Sequence, residues 1–316
     1  MGYNPLVSVI IPTYNSAHFV THAVDSALAQ SYRPIEVIVV DDGSTDDTKV
    51  RLAEWSDRIR YIHQLNGGPA KARNRGIKEA RGDFLAFLDA DDQWLPEKLC
   101  KQWECFQANS DAGLVHTDAY QLYEPIGEQR HEKRGREQFS GRCYTKLFWA
   151  NRITTSTVVV SRWCLERIGQ FDEDIREPSA EDLDLWLRIA RNYSVAYINE
   201  PLVLYRQHLA NGSLKQRVMV ESEYYVLRKA LRRDPGLPRT IGEDKVYRKM
   251  FELAFHAGYS NVDVDELGRG RRYFWEALAY RPQSVKAWAF WASTFLPLEL
   301  RKGLRSWKRG FALRRC

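Results

Sequence analysis

Along the first two thirds of the chain, short apolar runs alternate with stretches of helical periodicity. "LVSVII" (6–11) is a β-branched run closed by Pro12. In "SAHFVTHAVDSALAQ" the residues Phe19, Val20, Ala23, Val24, Ala27 and Leu28 recur at helical spacing behind Ser16, a natural N-cap. A strand followed by a helix is expected. The order returns three times: "IEVIVV" into "DDGSTDDT" and a helical stretch to Trp55, "RIRYIHQ" into "NGGPAKARNRGIKEA", and "DFLAFL" into "DADDQWLPEKLCKQWECF". Four such units predict an α/β fold with a mostly parallel sheet flanked by helices, binding its ligands at the carboxyl ends of the strands.

"AGLVHTDAY" continues the sheet, and residues 124–141 are polar, rich in charge and too long for a simple turn, a candidate mobile loop. "TTSTVVVSR" reads as a strand, "RWCLERIGQFDED" as a short helix stopped by Gly169, and "SAEDLDLWLRIARN" as a well-marked helix. "SVAYIN" and "PLVLYRQH" close the sheet. From about Ser213 only helix-length patterns remain, so the expected division is an α/β catalytic domain over residues 1–212 and a helical region over 213–316. "DELGRGRRYFWEALAYRP" and "SVKAWAFWASTF" resemble one helix-turn-helix repeat, but a single copy does not define an array.

At 316 residues, 44% hydrophobic and 28% charged, the chain can bury a sizeable core. The net charge of +6 is concentrated: residues 281–316 carry nine Lys/Arg and one acidic residue, which leaves about −2 for the remainder. The catalytic part therefore need not bind a polyanion, and no nucleic-acid partner is expected. Five cysteines, odd in number and without a C-x-x-C pair, argue against a disulfide framework or a zinc site. No run approaches the roughly 18 apolar residues of a membrane span, and the N-terminus lacks a signal-like pattern, so a cytoplasmic location is expected. The sequons at Asn192 and Asn211 are then chance matches.

Each predicted strand ends in a polar signal: "PTYN", "DDGSTDD", "NGGPAKARN" and "DADD". In a parallel sheet these ends converge on one edge. Asp89, Asp91 and Asp92 crowd three like charges at a strand tip, where a cation would neutralise them. Carboxylates at D-x-D spacing suit Mg²⁺ or Mn²⁺, which keep positions for water and substrate phosphates. The competing reading is helix capping, which fits Asp92 best. In "DDGSTDDT", Gly43 supplies a turn, Ser44 or Thr45 caps the next helix and Asp46 and Asp47 complement its dipole. Asp41 and Asp42 precede the turn, placed to accept from a nucleobase N–H or a ribose hydroxyl, and Tyr14 offers a face for base stacking. Gly67 and Gly68 allow close backbone approach and Pro69, Lys71 and Arg73 open a basic helix, a combination suited to diphosphate or simply to a surface turn. Ser179 and Asp182 fit a capping box; equally, Asp182 could be a general base whose ionised form the helix N-terminus favours.

"VSVIIPTYN", "VVDDGSTDDT", "GGPAKARNRGI", "FLDADD" and "EDLDLWLR", in this order and at these separations, resemble a family 2 glycosyltransferase of the GT-A fold, of the kind that builds bacterial polysaccharides, over about residues 6–210. The resemblance implies inverting transfer of a sugar from a nucleotide-diphosphate donor, commonly a UDP-sugar, to a hydroxyl of a glycan or lipid-linked acceptor. It implies donor contacts from Pro12, Thr13, Tyr14, Asp41, Asp42, Gly68, Arg73, Asp89 and Ala90. Asp89 and Asp91 would hold a Mn²⁺ or Mg²⁺ ion, with His208 of "YRQH" as a further ligand or a satisfied structural histidine. Asp182 would be the base, with Glu181 beside it.

The tail is not covered by the resemblance. Residues 285–316 interleave Trp288, Phe290, Trp291, Phe295, Trp307 and Phe311 with basic residues, the composition of a peripheral membrane contact on the inner face of the cytoplasmic membrane or of a helical cap with a solvated basic face. Two other activities fit less well. A phosphatase of the haloacid dehalogenase type needs D-x-D-G-T where this chain has Asp41-Asp42-Gly43, and a dinucleotide-dependent dehydrogenase needs a G-x-G-x-x-G after the first strand. A non-catalytic sugar-nucleotide-binding module would not need both D-x-D and Glu181-Asp182.

Overall fold

The structure, a computed structural model, describes residues 4–123, 128–130, 139–174, 180–207 and 216–297. The chain divides into two compact units, Met1–Leu214 and Lys215–Cys316.

The first unit is a mixed α/β fold on a curled sheet. Its first half repeats strand and helix: β1 (Val7–Thr13), α1 (Val20–Leu28), β2 (Ile35–Asp41), α2 (Thr48–Leu52), β3 (Arg60–His63), α3 (Pro69–Glu79), β4 (Phe84–Phe87), the two-residue β5 (Gln93–Trp94) and α4 (Lys98–Ala108). Then come β6 (Ala112–Tyr123), β7 (Glu128–Arg130), α5 (Tyr144–Trp149), β8 (Val159–Ser161), α6 (Arg162–Ile168), α7 (Glu181–Asn192) and β9 (Ser194–Gln207). The strand order is β3-β2-β1-β4-β8-β6-β9-β5, with β7 on β6. β1 runs parallel to both β2 and β4, and its continuous apolar run follows from being covered on both faces. The sheet is parallel from β3 to β4; β8 is antiparallel to β4 and β6, and β9 runs parallel to β6.

Val7, Val9, Ile11, Val37, Val39, Ala86 and Leu88 form one core with α1 and α4. On the opposite face, Phe87 meets Phe171 edge-on at 5.1 Å and Trp186 of α7 at 6.5 Å. α3 also packs there, and closely: a Cβ on Gly76 would stand 2.4 Å from Ile10 Cγ2. That approach carries the start of α3, with Arg73 one turn in, over the ends of β1 and β4.

Several local expectations are corrected. α1 begins at Val20 without a side-chain cap; the Ser16 amide donates to Thr48 Oγ1 and the Ala17 amide to Asp46 Oδ2, so this turn is tied to the next strand-helix unit instead. The N-cap position of α2 is Asp47, without a side-chain cap, not Ser44 or Thr45; Asp46 Oδ1 accepts the amide of the first helical residue, Thr48, at 3.0 Å. "TTSTVVVSR" is strand only over β8, because Thr155–Thr157 turns as a 3-10 helix. "SVAYIN" and "PLVLYRQ" are one long strand, β9, with irregular register against β6 near Asp118. Residues 124–127 and 131–138 of the candidate loop lie outside the described residues.

The second unit is helical: α8 (Gln216–Arg233), α9 (Leu237–Ile241), α10 (Glu243–Asp263), α11 (Leu267–Tyr280) and α12 (Val285–Ser293). α10 and α11 approach closely, since a Cβ on Gly270 would meet Val262 Cγ2 at 2.5 Å. Among the described residues no helix is long and apolar enough to cross a membrane, and the four described cysteines are free thiols.

Candidate active site

Three strand-to-helix turns meet at the carboxyl edge of β1, β2 and β4. In the β1 turn, Pro12 and Thr13 still pair in register with Val40 and Asp41. The Thr13 hydroxyl is buried with no hydrogen-bond partner among the described residues, and the Tyr14 ring is 50% exposed. Asn15 adopts a left-handed backbone (φ 48°) and accepts the Thr45 amide on Oδ1 at 2.8 Å, locking the β1 and β2 turns together.

Asp41 and Asp42 face inward. Asp41 accepts the Ser44 amide at 2.8 Å and the Tyr61 hydroxyl at 2.5 Å. Asp42 accepts Gln64 Nε2 at 2.7 Å, the Gly67 amide on both oxygens, and the Gly68 amide at 2.7 Å. Most of their acceptor capacity is thus engaged by the protein. Asp42 thereby shapes the turn before α3, where Gly68 takes φ 87°, a conformation natural to glycine, and Pro69 opens the helix.

Arg73, on the second turn of α3, is buried and doubly paired. Nη2 donates to Asp89 Oδ1 at 2.7 Å and Nη1 to Glu181 Oε1 at 2.6 Å, while the guanidinium lies 5.4 Å from the Phe171 ring centre. Burial opposes its charge, but the two carboxylates more than offset this and raise its pKa. One arginine therefore ties the strand-tip carboxylate to the start of α7.

The "DADD" turn divides its carboxylates. The Asp89 amide donates to Ser156 Oγ at 3.1 Å, Ala90 is buried, and the Asp91 carbonyl accepts Arg206 Nε at 2.8 Å. Asp92 does not serve the following helix, as the sequence suggests: α4 starts behind Glu97 with no side-chain cap. It is instead buried, accepting the Ser156 hydroxyl at 2.5 Å and the Arg206 amide at 2.9 Å. Burial, then the charges of Asp91 and Asp89, push its carboxyl well above the usual range.

At the head of α7, Asp182 Oδ1 accepts the Leu183 amide at 2.6 Å and Oδ2 accepts Asn151 Nδ2 at 3.2 Å. The helix N-terminus does not leave it a strong acid. Burial and then the Glu181 charge push its carboxyl up to about 7, against the Leu183 amide, Arg73 and Asn151, which favour the carboxylate. A carboxylate with that affinity is suited to taking up a proton near neutral pH. The capping-box partner Ser179 and the candidate ligand His208 lie outside the described residues.

Three supporting residues were not anticipated. Ser156 gave its only signal as part of a hydroxyl-rich run, Arg206 stood two places before the histidine that drew attention, and Asn151 gave none.

A Rickettsia prowazekii protein described as an uncharacterized glycosyltransferase is 35% identical over 225 residues, 68% of this chain and 69% of that one. The family model described as "Glycosyl transferase family 2" matches residues 8–165. The chain belongs to glycosyl transferase family 2. It is an enzyme, a glycosyltransferase. The Escherichia coli UDP-Glc:alpha-D-GlcNAc-diphosphoundecaprenol beta-1,3-glucosyltransferase WfgD is 31% identical over 225 residues, 68% of this chain and 82% of WfgD. Among solved structures, Staphylococcus aureus TarS matches with a TM-score of 0.65 at 20% identity, over 89% of this chain and 50% of the TarS chain. The mannosyltransferase PcManGT from Pyrobaculum calidifontis, in complex with GDP-Man and Mn²⁺, matches with a TM-score of 0.59 at 22% identity, over 96% of this chain and 83% of that one. These likenesses establish the GT-A-like fold of a family 2 glycosyltransferase.

Enzymes of this kind commonly use a divalent cation, and the residues fit one. Asp89 and Asp91 add their charges around a buried Asp92, a crowding that a cation would relieve. Among the described residues no three His, Cys, Asp or Glu side chains form a ready cage.

Proposed function

We propose that this glycosyltransferase inverts the anomeric centre of a nucleotide-diphosphate sugar, a UDP-sugar in the first instance, as it transfers the sugar to a hydroxyl of a lipid-linked glycan. The observation that carries the reading is the buried Arg73 bridge, which holds Asp89 at the tip of β4 against the Glu181-Asp182 pair at the head of α7. Donor side and acceptor side are thereby fixed to each other, the alignment that a displacement at the anomeric carbon requires.

In this reading the exposed Tyr14 ring stacks on the base, and Pro12, Thr13, Asp41 and Asp42 form or support the nucleoside pocket. Gly68 and Ala90 let backbone approach the diphosphate, and Arg73 orients Asp89 beside it. Asp91, with Asp89, would hold Mn²⁺ or Mg²⁺; His208 remains a further candidate. When bound, such an ion offsets the negative charge that grows on the departing diphosphate. Asp182 takes the proton of the acceptor hydroxyl as that oxygen attacks the sugar from the face opposite the diphosphate. No covalent enzyme intermediate forms.

The name of WfgD, which gives a UDP-Glc donor and a diphosphoundecaprenol-linked acceptor, supports the substrate classes. The Mn²⁺ in the PcManGT complex supports the cation. A lipid-linked acceptor would bring the enzyme to the inner face of the cytoplasmic membrane as a peripheral protein, with residues 285–316 as the contact.

The test pairs binding with turnover. Nucleotide-sugars are screened for thermal stabilisation in the presence of Mn²⁺, since a ligand of the native state raises its stability by mass action. Asp182→Asn is expected to keep that stabilisation while transfer falls by about 10²–10⁴-fold, the usual contribution of a positioned base. Full transfer by Asp182→Asn would remove the residue from the chemistry.

A further inference from the structure

We propose that the outer face of α11 and α12 is a tryptophan-lined seat on the membrane interface, rimmed by basic residues that select anionic lipid. This rests on the peripheral-membrane part of the reading above and gives it a defined surface.

α12, "VKAWAFWAS", contains one charged residue, Lys286, and is otherwise apolar or small around its circumference. A helix of that kind is normally enclosed. Here only Ala287 is buried, and Phe290 turns inward onto Phe255 and Phe274, with ring centres 5.3 and 5.6 Å apart. The remaining aromatics gather on the other side. Trp275 of α11 lies 6.1 Å from Trp288 and 5.9 Å from Trp291, and Trp291 lies 5.0 Å from Phe295. Trp275, Trp288 and Phe295 are 57%, 42% and 55% exposed. Exposed rings clustered at this density mark a surface that something covers.

Charge identifies the occupant. The Arg271 guanidinium stacks 3.6 Å over Phe295, and Arg272, three residues before Trp275 on α11, is exposed; Lys286 instead lies 4.5 Å over the Phe255 ring, on the side to which Phe290 turns. Glu276 is paired with Arg272 at 3.1 Å and with Arg228 at 2.9 Å. The sequence that follows, residues 298–316, adds seven Lys/Arg, one acidic residue, Trp307 and Phe311. Indole rings settle at the level of lipid headgroups, and each basic residue near an anionic surface adds attraction that salt weakens. Apolar rings inside a cationic rim are the complement of an anionic bilayer surface.

The experiment is sedimentation of the full chain with vesicles of phosphatidylglycerol and phosphatidylcholine, against vesicles of phosphatidylcholine alone, with no sugar-nucleotide present. The full chain is expected to sediment with the anionic vesicles, and brominated lipid is expected to quench its tryptophan fluorescence. A Trp275→Gln/Trp288→Gln/Trp291→Gln variant is expected to lower the partition coefficient at least tenfold while keeping its helical circular dichroism. Should that variant unfold, Trp288→Gln alone is expected to lower it about threefold. Equal sedimentation of variant and parent, or no sedimentation of the parent, overturns the proposal. So does an oligomer that the substitutions dissociate with vesicle binding unchanged, which would assign the face to a second copy. Donor stabilisation is measured separately, so failure here leaves the transfer reading standing, and the reverse.

Discussion

Arg73 and Glu181, 108 positions apart in the chain, meet through a 2.6 Å hydrogen bond inside the protein. Glu181 in turn lies beside Asp182 and, after burial, contributes most to raising that carboxyl to about 7. On the proposed function, Glu181 is a positioning residue that tunes Asp182 as the base. Replacing it by Gln removes the repelling charge and leaves the attraction of Arg73, so the Asp182 pKa falls. The acid limb of the kcat–pH profile of Glu181→Gln is expected to move to lower pH. An unmoved limb would mean that Glu181 does not tune the base.

The raised carboxyl also carries a stability cost of known sign. Because the Asp182 pKa in the folded state is about 7, against an ordinary 3.8, the folded protein holds a proton that the unfolded chain releases. The associated stabilisation is complete below the ordinary value and is lost as pH rises through about 7. Asp182→Asn has no proton to lose. Its melting temperature is expected to exceed that of the parent by a few degrees at pH 8, with the gap shrinking towards pH 5, while transfer falls by about 10²–10⁴-fold. Thermal denaturation at the two pH values measures it; a gap that widens towards pH 5 would reverse the assignment.

Arg73 is paired with two carboxylates at once, Asp89 and Glu181. Removing one partner of a buried ion pair leaves charge without compensation, a cost of about 3–5 kcal/mol. Arg73→Met is expected to lower the urea midpoint correspondingly. Arg73→Lys is expected to recover only part of the loss, because one ammonium cannot reproduce a planar fork aimed at two acids from opposite edges. Full recovery by Lys would show that charge alone suffices.

What the sequence exposed and what it hid divide along a physical line. β1, β2 and β4 were legible because they are buried on both faces and read as unbroken apolar runs; α7 was legible from its capping acids and apolar stripe. Polar residues at strand tips were legible as a set, since a parallel sheet gathers them at one edge. Their individual duties were not. Asp92 looks like a helix cap in sequence, yet its partners are Ser156 and Arg206, which lies 114 positions away. Asp42 reads as a ligand contact, and its hydrogen bonds to the Gly67-Gly68 turn, 25 residues on, had no signal in the sequence. Hydrogen bonds across such separations leave no periodicity. The direction of the Asp182 shift was equally hidden, because burial and the neighbouring Glu181 outweigh the local helix terminus that the motif displays.

Asp91 and Asp92, adjacent in sequence, should respond differently to removal of charge. Asp92 ties the "DADD" turn to the end of β9; Asp92→Ala leaves the buried Arg206 amide and Ser156 hydroxyl without their acceptor, at about 1–3 kcal/mol for each group left unsatisfied. It is expected to melt earlier with or without ligand. Asp91 instead adds a like charge that helps raise the Asp92 carboxyl. Asp91→Asn removes that charge, so the Asp92 carboxyl is expected to titrate lower than in the parent. The variant's stabilisation by a UDP-sugar with Mn²⁺ is expected to collapse, because the cation has lost its carboxylate. Thermal denaturation of both variants, with and without Mn²⁺ and donor, separates the two roles. A Mn²⁺-dependent donor shift that survives in Asp91→Asn would remove Asp91 from the cation site.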